Sequence, residues 1–459
     1  MRGREEGGDN PMQNAMSVTY LNTPGGGDVL LTACERFLCW LDKAGYESYD
    51  PYDIWGTRYG LWSRKVYYAK GKLGIPLVAP LVAVDLLCPS LRGVFVKKAR
   101  FATADAQLML GLLNLYQISG GEKHLERAVG LGEELLAYSI PGYRGPCWGY
   151  PFDWQNSKDA VWPKNTPYIT CTPYCYEAYL ALLEATGDKK YLALAMRIAE
   201  FVHADLIDIP TGPNSSAGSY SPFDKRQVVN ATAYRAYVLA DAGKRYRRQD
   251  YLEASRRNLN FVLDSQAENG SWLYAMNEAK SYIDNFHTCF NLKNLFKVHR
   301  IDPDARIELS IRRGFAYYRE HLIDARGNPR PFAVKPRLQL AKLEMYDFAE
   351  GITLGALIGD MIPEAGELAR SLADKVIQKH QLPDGHFVTR VLRGGWRHRF
   401  PFLRWPQAQL FYALTNLLKT EDRRQKTEDR RQKTKRDADR GESFSERTVK
   451  SVVTSSFLG

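Results

Sequence analysis

The chain predicts an all-α fold in which six helical hairpins close into two concentric rings, an (α/α)6 toroid. Three observations carry that prediction. The segments His124-Leu125-Glu126-Arg127-Ala128, Tyr191-Leu192-Ala193-Leu194-Ala195 and Tyr251-Leu252-Glu253-Ala254-Ser255 each follow a turn containing Gly121, Gly187 or Gly243. A recurrence of about 60 residues marks an array of supersecondary units. Apolar residues then recur three and four apart, as at Leu192, Ala195, Ala199, Val202 and Leu206, or at Ala365, Leu368, Leu372 and Val376. That period is one face of a helix. Finally, the connections alternate between short polar turns and long aromatic loops, so one end of the array is closed and the other is elaborated.

Taken in order, the first helix of each hairpin begins near Val29, Glu122, Lys189, Gln249, Pro303 and Pro363. The second begins near Thr103, Ile169, Val229, Asp284, Tyr346 and Trp405. The second set is apolar on all sides, as in the runs from Ala104 to Leu110 and from Gly351 to Ile358, which places it inside and the first set outside. Turns from inner to outer helix are brief: in Thr186-Gly187-Asp188-Lys189-Lys190, Gly187 ends one helix and Asp188 caps the next. The opposite connections run from Ala44 to Phe101, Ile140 to Tyr168, Asp208 to Val228, Ala267 to Ile283, Asp324 to Glu344 and Leu382 to Leu403. Loops that long in a compact domain are where function gathers.

This organisation gives a flexible N-terminal segment over 1–26, a toroid over 27–419 and a charged, disordered tail over 420–459. No hairpin can bury its apolar face alone, so the toroid is one domain. In the tail, Lys419-Thr420-Glu421-Asp422-Arg423-Arg424-Gln425 repeats identically from Lys426 to Gln432. A heptad without an apolar seam cannot make a coiled coil, and mixed charges of this kind are solvated rather than nucleic-acid binding.

At 459 residues and 44% hydrophobic content the chain can bury a large core. Its seven cysteines, at 34, 39, 88, 147, 171, 175 and 289, are odd in number and scattered. That excludes a secreted disulfide framework and points to a reducing, cytoplasmic setting. Met1 to Asn10 leads into no signal-peptide core, and the strongest apolar run, Ile75 to Cys88, is interrupted by Pro76, Pro80 and Asp85 and too short to span a bilayer. The formal charge is +11, of which the toroid keeps about +8. Such an excess suits an anionic ligand and also plain solubility. The oligomeric state leaves no mark on the sequence.

Candidate site residues cluster on the long loops and on the starts of the inner helices. The second loop carries Trp148, Tyr150, Phe152, Asp153, Trp154 and Gln155 within ten residues. Aromatic faces with interspersed carboxylates and amides suit sugar rings, although rings in such a loop also serve to plug the mouth of a barrel. Asp284 and His287 share a helix face, so the carboxylate can orient the imidazole for proton transfer, or else cap the helix. Glu344, Asp347 and Glu350 form an acidic stripe in which one pKa should rise, and Asp153 on a facing loop would complete a carboxylate pair. Arg404 and Trp405, among the many arginines of the sixth loop, could hold a sugar carboxylate. Gln266 with Trp272 and Gln381 with Phe387 read as structural ties at outer-helix ends.

The loop from Cys147 to Gln155 with its downstream Thr166-Pro167, the segment Asp284-Asn285-Phe286-His287-Thr288 and the toroid itself together resemble bacterial proteins of exopolysaccharide and surface-glycan clusters. These are similar to the six-hairpin glycosidase-like group, and the likeness covers about Tyr49 to Leu418. It implies an oligo- or polysaccharide ligand, no cofactor, and a choice among hydrolysis, elimination and epimerisation of a uronate-type sugar. A lyase or epimerase would use Tyr220, Tyr274 or His287 as base, and a hydrolase Asp153 with Glu344, Asp347 or Asp284. Two other readings stand beside it: a non-catalytic glycan-binding scaffold, and a zinc toroid similar to lanthionine cyclases built on Cys147, His287 and Cys289. A terpene-type cyclase is excluded, because Asp302-Pro303-Asp304 falls in a short turn on the closed face.

Overall fold

Described in this computed structural model are residues 27–279, 281–336 and 339–455, with side chains up to 434; the expected flexible segment 1–26 lies outside the described residues. The outer helices are α1 (Gly27–Ala44), α6 (Glu122–Ala137), α8 (Lys189–Ala204), α10 (Gln249–Asp264), α12 (Ala305–His321) and α14 (Pro363–His380). The inner helices are α5 (Ala102–Ser119), α7 (Thr172–Thr186), α9 (Val229–Tyr246), α11 (Asn285–Ile301), α13 (Met345–Ile358) and α15 (Ala408–Ser455). Each inner helix packs on the next, and α15 returns to α5, so the inner ring is closed. This is the (α/α)6 toroid.

Burial follows the composition. Every residue of α5 from Ala102 to Leu115 is buried, whereas α8 buries only a stripe at Tyr191, Ala195, Ile198, Ala199, Phe201 and Val202. Gly187 ends α7 in a left-handed conformation, and the Asp188 carboxylate accepts the backbone N–H of Lys190 at 2.9 Å to start α8. Short antiparallel strands tie the long loops into a collar. These are β1 (Trp154–Gln155) with β2 (Val161–Trp162), β3 (Asp208–Gly212) with β4 (Ser215–Gly218), and β5 (Ile283–Asp284) with β6 (Phe332–Val334). A three-stranded sheet of β7 (Ala341–Glu344), β8 (Arg390–Leu392) and β9 (Arg397–His398) joins the fifth and sixth loops.

Two elements differ from the sequence expectation. The first long loop folds into α2 (Arg58–Lys70), α3 (Ile75–Leu87) and α4 (Arg92–Phe95). Pro76 does not interrupt α3, because it sits in the first turn, where no N–H is needed, and the helix also runs on through Pro80. At the other end α15 passes Lys419 without a break and continues to Ser455, where composition predicts disorder. Glu421 and Arg424 dock on Arg370 and Asp360, and pairs such as Asp422 with Lys426 support the exposed turns.

The ring is fastened by the glutamine ties. Gln266 donates to the carbonyls of Gly270 and Ser310, clasping its own turn to α12, and Gln381 donates to those of Gly385 and Ala33, clasping α14 to α1. Trp272 donates its indole N–H to Val262 O at 2.9 Å, and Phe387 stacks on Phe37. Gly385 has φ +109, and a Cβ there would lie 2.0 Å from the Arg36 carbonyl. Alanine at Gly385 should therefore cost at least about 1–3 kcal/mol in strain. In urea unfolding, Gly385→Ala is expected to lose that much, while Gly394→Ala, with open space around it, stays near the parent.

Candidate functional site

Because every short turn lies at one end, the N-termini of all six inner helices face the other, where the collar sits. Asp284 is the N-cap of α11: its carboxylate accepts the backbone N–H of His287 at 3.1 Å and also binds the ring Nδ1 at 2.7 and 2.9 Å. One carboxylate thus satisfies a helix end and fixes the imidazole. His287 Nε2 has no partner among the described residues, and the His287 side chain is 17% exposed against 2% for Asp284. The ring is held between Phe286 and Tyr274, with centroids at 4.2 and 4.6 Å, and Tyr274 stacks on Tyr282 at 4.8 Å. A histidine so placed presents a single ring nitrogen to the mouth.

Around it stands an aromatic wall. Tyr346 and Trp405 stack face to face at 3.6 Å, Phe286 meets both edge-on, and Tyr52 bridges Trp405 to Trp154. Tyr150 stacks on Phe152 at 5.5 Å, and Tyr220 lies against Trp162 and Tyr168 while receiving a hydrogen bond from the Thr170 hydroxyl. Burial and the neighbouring Tyr220 raise the Tyr274 pKa, so its hydroxyl stays protonated.

Below this layer lie the acids of the fifth unit. Asp347 is 1% exposed, its Oδ2 has no hydrogen-bond partner, and burial followed by the charges of Glu344, Asp284 and Glu350 raises its pKa well above the usual carboxylate range. Burial likewise raises Glu344, against the opposing pull of Arg390, whose Nε lies 3.4 Å away. Deeper still, Glu350 is neutralised by Lys293 and receives the Gln409 amide. The acidic stripe is therefore graded, from an ion pair in the ring centre to a buried carboxyl group with a raised pKa under the mouth.

No family model and no curated protein sequence matches the chain. Solved structures match it in fold. An unsaturated glucuronyl hydrolase specific for heparin aligns over 87% of this chain and 99% of its own, at 12% identity and a TM-score of 0.58. A sugar epimerase from a ruminal bacterium covers 71% and 88% at 13% identity and 0.57, and a cellobiose 2-epimerase from Bacillus thermoamylovorans 70% and 88% at 9% and 0.57. The fold is that of the six-hairpin glycosidase-like enzymes.

Within this six-hairpin frame, the sequence-selected residues separate into three groups. Asp284, His287, Tyr274 and Phe286 come together, with Trp405 against Phe286, and Asp347 lies close enough to feel the Asp284 charge. Trp148 does not join them: it is 1% exposed and donates its indole N–H to Leu135 O at 2.9 Å, so it plugs the space above α6. Gln155 spends its amide on the Ser157 and Ala160 carbonyls, and Asp153 accepts the Lys164 backbone N–H at 2.7 Å, so both fold their own loop. Asp153 is not among the groups that shift Asp347. Arg404 reaches the mouth already paired: Asp50 binds its guanidinium through two oxygens at 2.5 and 2.8 Å, with Tyr150 at 4.8 Å from the cation. The proposed zinc set does not assemble, since Cys147 faces Ile140 O and Cys289 faces Asn285, and no group of three or more candidate ligands occurs among the described residues.

Sequence reasoning missed Asp50, Tyr52, Tyr282 and Arg226. Arg226 stands 5.5 Å from the Tyr274 ring and shares its charge with the part-exposed Glu278. Its only signal was position, on a long loop just before α9.

The raised pKa of Asp347 has a signed consequence. The folded state holds this proton more tightly than the unfolded chain, whose value is about 3.9, so stability is fully present below that pH and lost as pH rises toward the folded value. Asp347→Asn removes the penalty. Its melting temperature is expected to exceed the parent's at pH 8, with the gap narrowing as pH falls to 4, by differential scanning calorimetry.

Proposed function

We propose that this protein is a glycan-processing enzyme that moves a proton at a sugar ring carbon, with His287 as the base and Asp284 as the residue that sets its tautomer. The observation that carries this reading is the Asp284–His287 pair, with one ring nitrogen bonded and the other left toward an aromatic mouth. Hydrolysis is less well supported. It needs two carboxylates flanking the scissile bond, whereas Asp284 and Asp347 are buried and Asp153 caps its own loop.

A uronate suits the site through Arg226. A carboxylate next to the reacting carbon must be neutralised as charge develops there, and Arg226 lies one tyrosine ring away from His287 in an ion pair whose acid, Glu278, is 32% exposed and can yield to a ligand. Abstraction of the proton by Nε2 then leads to epimerisation if water delivers a proton to the other face while the imidazolium releases its own to solvent, or to elimination if the imidazolium protonates a leaving oxygen. The second reading is a neutral sugar, favoured by the fact that both Arg226 and Arg404 already have acidic partners. The likeness of the aromatic loop and the Asp284–Thr288 segment to surface-glycan cluster proteins supports a role in polysaccharide modification.

The test is a mass-spectrometric screen of uronate-containing and neutral oligosaccharides in heavy water. A deuterium label on a uronate is expected, reduced by about 10²–10⁴-fold in His287→Ala and lowered in kcat as well as in substrate affinity by Arg226→Ala, because the charge it offsets grows in the transition state. Labelling only of neutral sugars would select the second reading. Labelling unchanged in His287→Ala, or glycan binding with no turnover at all, would sink the proposal.

A further inference from the structure

The first long loop contains a second feature that the site does not use. In α3 every exposed residue is apolar: Ile75, Pro76, Ala79, Pro80, Ala83 and Leu87. Ile75, Ala79, Ala83 and Leu87 are four apart and form one continuous stripe. Its neighbours extend the surface, with Leu73 82% exposed in the preceding turn, Val94 75% and Phe95 59% in α4, and Trp62 50% in α2. The hairpin is held in shape from behind. The Tyr59 hydroxyl donates to Leu77 O at 2.8 Å, and the fully buried Arg92 pairs with both Asp53 and Asp85. Contiguous exposed apolar surface on this scale marks a contact site.

Charge identifies the occupant. Between Asp53 and Asp105 the chain has nine Lys or Arg and a single acid, Asp85. Asp85 is turned inward, consumed by Arg92 and Arg390. Arg58, Lys65, Lys70, Lys72, Lys97 and Lys98 are all exposed, and none has an ion-pair partner among the described residues. An apolar stripe bordered by unpaired cations and by Trp and Tyr rings is the composition of an element that lies in the interface of an anionic bilayer. A protein partner would require a rim of hydrogen-bonding groups of both kinds, and α3 exposes none. With 13 residues α3 is too short to cross a bilayer by itself, and among the described residues no single helix is long and apolar enough to do so; Arg58–Leu87 and Pro89–Phe95 reach that length and composition only as a pair bent by 110°.

We propose that α2, α3 and α4 form a membrane-surface anchor that seats the apolar stripe in an anionic lipid leaflet. The same hairpin reaches the mouth, because Arg64 lies 3.7 Å over the Trp154 ring and Arg390 joins Asp85 to Glu344. Seated this way, the open face of the toroid would be held close to the lipid surface.

The test is sedimentation of the full chain with phosphatidylcholine vesicles, with and without phosphatidylglycerol. Binding is expected only to the anionic vesicles and should weaken with salt. Leu73→Asp and Val94→Asp should abolish it. Lys70→Glu with Lys72→Glu should weaken it by about fivefold or more per residue. Leu309→Asp, which changes an exposed leucine on α12 far along the chain, should bind as the parent does, and equal melting temperatures confirm that all variants fold. Three outcomes would overturn the anchor: no pelleting with anionic vesicles, equal loss in Leu309→Asp, or a self-associating chain that Leu73→Asp makes monomeric. None depends on turnover, so a failed glycan assay and a failed anchor remain separate results.

Discussion

The structure depends on the closure of its inner ring with all six helices running the same way. No hairpin can bury its inner helix alone, as α5 shows, with every position from Ala102 to Leu115 covered by neighbours. Closure needs α14 and α15 to meet α1 and α5 across the whole length of the chain, and the Gln381 clasp on Ala33 holds one of those contacts. Once the ring is closed, parallel helices bring their N-termini to one end. That end is where backbone N–H groups lack partners and where acidic side chains are stabilised. Asp284 takes up that role directly, and by doing so it also aligns His287.

The ring centre shows how charge is tolerated in such a core. Lys293 with Glu350, and Lys297 with Glu177, are pairs between inner helices, buried or nearly so. Burying a charge is costly unless a partner and hydrogen bonds offset it, and both conditions are met there. Asp347 is the exception, with like charges for neighbours and an oxygen without a partner. A core that pairs its other acids and raises the pKa of this one beneath the mouth stores a cost at one place, and functional sites are where such costs are found.

Much of this could be read before the fold was known, because it is local. Gly187 and Asp188 punctuate a turn by their own chemistry, and the inner helices announce themselves by apolar runs such as Gly351 to Ile358. The Gln266 and Gln381 ties were legible from a repeated pattern. The roles of Arg404 and Asp153 were not. Arg404 meets Asp50 across 354 positions of sequence, and nothing near either residue announces the other. Asp153 resembled a catalytic acid until the backbone N–H of Lys164 supplied it with a task. The helices of the first loop were hidden for a different reason: the run from Ile75 to Cys88 carries two prolines and no helical period of polar residues, yet Pro76 falls in the first turn of α3, where it is tolerated. The continuation of α15 past Lys419 was hidden in the same way, since charged repeats rich in Glu, Lys, Arg and Gln are helix formers as well as disorder formers.

The central claim is that ligand and chemistry meet at the mouth, on His287 Nε2. A crystal structure of the protein with a bound uronate-containing oligosaccharide tests it most directly. The account predicts a sugar ring within hydrogen-bonding distance of Nε2, packed against Tyr274, with its carboxylate on Arg226 in place of Glu278. A sugar seated elsewhere on the toroid, with the Asp284–His287 pair untouched, would contradict it.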